Sequence, residues 1–152
     1  MAKSDKHDPN NPFNLNRFIS AQEKVYDCVL KELKNGSKRS HWMWYIFPQL
    51  DELAQSTTSK YYAIKSREEA LAYLNHPVLG SRLVECANIV LDVEGKTVSE
   101  IFGYPDNLKL KSSMTLFSEV ANSVFVRVLD KYFQGERDPK TLQLLELENT
   151  NE

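Results

Sequence analysis

The stretch Ser40-His41-Trp42-Met43-Trp44-Tyr45-Ile46-Phe47-Pro48-Gln49, preceded by Lys38-Arg39, holds both tryptophans of the chain and one of its three histidines. Indole and phenol rings stack on or enclose planar groups, a guanidinium meets negative charge, and an imidazole suits proton exchange near neutral pH. These residues predict one wall of a pocket for a small anionic or ring-bearing, nucleotide-like metabolite. Trp42, Trp44 and Tyr45 would surround the ring, Arg39 would face the charge, and His41 would be the candidate catalytic acid or base. The competing account is a hydrophobic plug. It suffices for Met43, Ile46 and Phe47, but burying the other four requires partners for an imidazole, two indole N–H groups and a phenol.

A second cluster has a different chemistry. Lys109 and Lys111 stand just before Ser112, Ser113 and Thr115. Two cations and several hydroxyls near a helix start suit a phosphate or carboxylate, because unpaired N–H groups there already favour anions. No Gly-rich phosphate loop accompanies them, so solvated lysines beside capping hydroxyls are the competing account. Gln22 is the third candidate. It falls on an otherwise apolar stripe, where a carboxamide must either brace the backbone or face a polar cavity.

Other chemistries find less support. Three scattered histidines without an H-E-x-x-H pattern supply no metal-ligand set, and Ser40 beside His41 lacks a G-x-S-x-G nucleophile elbow. Neither a metal nor a cofactor is expected. Cys28 and Cys86 lie too far apart for a zinc knuckle or a redox C-x-x-C motif and are expected as buried thiols in a reducing cytoplasm. The alternative function is a module without chemistry that contacts protein or single-stranded RNA through the aromatic block and the basic residues Lys34, Lys38 and Arg39. A net charge of -2, from 19 basic and 21 acidic residues, gives no general attraction to DNA or anionic membrane. No membrane-spanning run is present in the sequence.

The elements that must position these residues are helical. Hydrophobic residues make up 41% of the chain and charged residues 26%, while 5 Gly and 6 Pro are too few for an all-β fold. The expected architecture is all-α, a compact multihelical single domain of six to seven helices, several of them short. Residues 1–12 are expected as a loose arm that includes His7, residues 13–147 as the domain, and residues 148–152 as a frayed tail. Leu15, Phe18, Gln22, Val25, Val29 and Leu33 predict one helix stopped at Asn35-Gly36. The Pro48 ring limits any helix begun near Ser40 to a short one. Residues 50–62 read as a loop. Ser66 to Glu69 and Thr97 to Glu100 match capping boxes, His76 reads as a turn residue or cap, and Asp138-Pro139 pairs an N-cap with an N1 proline. A helix is expected over residues 122–133, stopped at Gly135.

Four blocks carry a family likeness: Leu15-Asn16-Arg17-Phe18 with Ala21-Gln22, the segment Ser40 to Gln49, His76 to Leu83, and Lys109 to Phe117. Over about residues 15 to 145 the chain resembles the uncharacterised family of small all-helical proteins numbered eighteen-ten in the domain-of-unknown-function series. The resemblance implies a multihelical single domain with no established activity, and it places Gln22, His41, Gln49 and Lys109 within the signature blocks. A shared pocket and a shared core both fit that placement. Members are often labelled calpastatin. A protease inhibitor that folds on its target is a disordered, repetitive chain, whereas this composition is that of a packed globule.

Overall fold

Helices dominate a computed structural model of the chain, which describes residues 12–121 and 123–150. The expected arm, with His7, lies almost wholly outside the described residues. The elements are α1 (Asn16–Glu23), α2 (Tyr26–Lys34), α3 (Met43–Ile46), α4 (Thr57–Tyr61), α5 (Arg67–Asn75), α6 (Leu79–Asp92), α7 (Val98–Phe102), α8 (Asp106–Ser118), α9 (Val124–Phe133) and α10 (Pro139–Thr150). The class is all-α, and no strand occurs among the described residues. Ten helices occur among the described residues, more than the six to seven expected, and two of the additions have clear local reasons.

The first is a break in the opening stripe. One continuous helix is predicted through Leu33, but the chain turns at Lys24-Val25 and resumes as α2. The break lets α1 pack on α3 while α2 packs on α6, so the two halves bury against different partners. Spacing cannot show this, because Phe18, Gln22, Val29 and Leu33 are buried in either arrangement.

The second is residues 50–62, expected as a loop. They contain a 3-10 turn at Asp51–Leu53 and the helix α4, started by a capping box in which Ser56 and Ser59 exchange side-chain and main-chain hydrogen bonds. A serine at the far end of the box replaces the usual Glu or Gln, which is why the pattern passes unnoticed. An isolated parallel bridge between Leu50 and Ile64 closes the segment.

At the centre lies α8, where every residue from Ser112 to Phe117 is buried. It packs against α5, α7, α9 and α10, and α9 in turn packs on α6. The predicted caps hold the rim: Thr97 and Glu100 complete a full box, and Gly103 ends α7 at φ +74°. His76 Nδ1 accepts the N–H groups of Val78 and Leu79 at the start of α6. Ser66 accepts the Glu69 N–H, but the Glu69 carboxylate turns inward to Arg17 at 2.8 Å instead of completing its box.

Candidate functional site

The aromatic block is held by a residue that sequence reasoning overlooks. From the last turns of α2, Glu32 Oε1 accepts the main-chain N–H groups of Arg39 and Ser40 at 2.9 and 3.0 Å and the Trp42 indole N–H at 2.9 Å. Its Oε2 accepts the Ser40 hydroxyl and the Cys28 thiol. Burial pushes this carboxyl up, but the Ser40 hydroxyl, the two main-chain N–H groups and the Trp42 indole together bring it down to about 2. Only a fold that turns residues 35–42 back over α2 brings these donors to Glu32, and no local motif announces it.

Trp42 is therefore core. It is 1% exposed, lies beside Phe47, and carries the Lys38 ammonium 4.9 Å from its ring. Lys38 is itself inward-facing, bonded to Asp106 at 2.8 Å and to the Ser40 carbonyl at 2.6 Å. Gln22 is a brace. Its Nε2 donates to the Tyr45 carbonyl at 2.7 Å and the Tyr73 hydroxyl at 3.1 Å, and its Oε1 accepts from Arg82. The Tyr45 ring is half-buried against Tyr62. His41 and Arg39 are exposed at the surface of the same turn.

The hydroxyl and lysine cluster also separates. Helix α8 begins at Asp106 rather than near Ser112, so the hydroxyls sit inside the helix and do not line its N-terminus. Ser112 Oγ donates to Asp138 Oδ2 at 3.1 Å, and the same oxygen accepts the Thr141 N–H at 3.1 Å, making Ser112 part of the α10 cap. Lys111 pairs with Glu136 at 3.0 Å, next to Phe133. Lys109 points elsewhere. Its ammonium stands 5.9 Å from the centre of the Trp44 ring and 3.9 Å from Asp106, a carboxylate already engaged by Lys38.

Three of the predicted residues, Gln49, Lys109 and Ser112, share one groove of about 490 Å³. Tyr104, Leu108 and Lys140 line it as well, and sequence reasoning singles out none of them for the site. The Gly103-Tyr104-Pro105 turn is the one signal that could have exposed Tyr104, since turn residues project from the body. Three other grooves, of about 450, 850 and 360 Å³, contain none of the predicted site residues. Gln22, Arg39, His41, Trp42, Trp44, Tyr45 and Lys111 do not line the shared groove.

A family model described as "Protein of unknown function (DUF1810)" matches residues 12–145. The chain belongs to this family. Among solved structures, it is similar to the conserved hypothetical protein Rv1873 from Mycobacterium tuberculosis, with 52% identity over 89% of this chain and 98% of that one and a TM-score of 0.87. No curated protein matches. The calpastatin label attached to the likeness finds no support here: the family is described as of unknown function and the similar structure as a conserved hypothetical protein. No described helix is long and apolar enough to cross a membrane.

Proposed function

We propose that the groove shared by Gln49 and Lys109 binds a small ring-bearing anion. The observation that carries this reading is the environment of Lys109. Asp106, its acidic neighbour, already bonds Lys38, so Lys109 keeps charge to offer a ligand while resting beside the Trp44 ring. Lys140 adds a second cation on the same groove. A volume of about 490 Å³ lies within the range of roughly 300–1,000 Å³ usual for small-molecule sites. Gln49 and Lys109 are the ligand-binding residues of this reading, Trp44 stands behind Lys109 outside the groove lining, and Trp42, Gln22 and Ser112 serve the scaffold. His41 lies outside the groove, and no acid or base is assigned. A reducing, cytoplasmic setting is part of the proposal, in keeping with two free cysteines.

A surface for RNA or protein is the weaker reading. It needs Trp42 and Lys38 outward, and both are turned in.

The test is a thermal-shift and titration series with aryl phosphates and aryl carboxylates. Binding is expected in the wild type, with affinity lowered at least tenfold in Lys109→Ala and Lys140→Ala and little change in the unliganded Tm. Equal binding by wild type and both variants defeats the assignment.

A further inference from the structure

Gln49 has a rigid backbone and an unoccupied side chain. Its carbonyl accepts the Ile64 N–H at 2.9 Å, the Leu50 to Ile64 bridge follows, and the Asp51 N–H returns to the Ile64 carbonyl at 2.8 Å. Pro48 fixes the chain on the other side. Among the described residues no hydrogen-bond partner is found for the carboxamide, which lines the groove with Lys109 and Lys140. The main chain fixes where this side chain enters the groove, and its amide donor and carbonyl acceptor are both open to a ligand there.

We infer that the ligand of this groove is a nucleoside monophosphate, with Gln49 reading the edge of its base. This deepens the ring-bearing-anion reading and rests on it. The charge argues for a phosphate monoester. Lys109 and Lys140 face one carboxylate in the groove, Asp138, whose Oδ2 is taken up by Ser112 and Thr141 in capping α10. A monoester carries nearly two negative charges near neutral pH, against one for a carboxylate, and matches two ammonium groups better. Lysine binds phosphate as a point charge and needs no fork geometry.

The base is argued from the other groups on the rim. Tyr104 is 81% exposed, more than any other exposed large apolar side chain described, and Leu108, 49% exposed, lies beside it on the same rim. A tyrosine face accepts any nucleobase by stacking. A carboxamide presents a donor and an acceptor in one plane, which pairs with a base edge carrying the complementary couple. A plain aryl phosphate satisfies the lysines and the ring but leaves Gln49 without a partner.

Calorimetric titration at low salt separates the alternatives, using AMP, GMP, UMP, CMP, phenyl phosphate, ribose 5-phosphate and inorganic phosphate. At least one nucleotide is expected to bind ten times more tightly than phenyl phosphate and ribose 5-phosphate. Gln49→Leu should erase that margin while leaving ribose 5-phosphate unchanged, and Tyr104→Ala should weaken the nucleotide and phenyl phosphate but not ribose 5-phosphate. If phenyl phosphate equals the best nucleotide and Gln49→Leu changes neither, the nucleotide inference fails while the ring-bearing-anion reading stands. If inorganic phosphate binds as well as every ring-bearing compound, or none of the compounds binds, both fall.

Discussion

The Glu32 carboxylate and the Trp42 indole, ten residues apart and on different elements, meet at 2.9 Å. The contact satisfies the polar end of a ring that is otherwise sealed in the core, and the same carboxylate ties down Arg39 and Ser40. It explains why the most conspicuous stretch of the sequence is built inward around Trp42, while Gln49, seven residues on, lines the groove.

Glu32→Ala should cost about 2–3 kcal/mol, because it leaves the indole and two main-chain N–H groups without their acceptor. Glu32→Gln retains one acceptor oxygen and should cost less. Urea denaturation measures both, and an upfield shift of the Trp42 indole proton would report the lost bond directly. No change in stability for Glu32→Ala would show that the indole has another partner.

The same group sets an acid limit. Its folded value of about 2 lies below the ordinary 4.5, so the unfolded chain takes up this proton first. The stabilisation is complete above pH 4.5 and is lost as pH falls towards 2. Unfolding curves across this interval should be less steep in Glu32→Gln than in the wild type; identical slopes would remove Glu32 from the account.

Arg17 and Glu69 form a buried pair with side chains 6% and 1% exposed. The guanidinium also donates to the carbonyls of Phe13, Asn14, Tyr61 and Ala63, tying the first turn of the domain to the chain on either side of Tyr62. Arg17→Met should cost about 3–5 kcal/mol by stranding a buried carboxylate. Combining it with Glu69→Leu should restore part of that loss. A double variant no more stable than the single one would mean that the carbonyl contacts, not the ion pair, dominate.

The two thiols should separate cleanly. Cys28 is exposed, contrary to the expectation of a buried group, because its position on α2 faces solvent beside Glu32 and Ser40. Cys86 lies within the core, and burial pushes its thiol up to about 12. A thiol reagent should label Cys28 in the native protein and reach Cys86 only after denaturation. Equal rates at both positions would contradict the packing of α6.

Helical class, the caps at Ser66, Thr97 and Asp138, and the inner face of α6 are local properties, legible because periodicity and side-chain capping act over three or four residues. The aromatic block stands out for the same reason, by simple concentration of rings. What tertiary structure decided was the partner of each polar group. Gln22 became a brace because α1 breaks away from α2 and meets Tyr45 and Tyr73. Ser112 became a cap because α10 begins beside it, and Lys109 parted from Lys111 because α8 starts at Asp106 and sends the two side chains to different faces. The groove itself joins Gln49, Tyr104, Lys109 and Lys140 from three separated stretches of chain. Spacing along a sequence carries the period of one helix, and it holds no record of which helices later stand side by side.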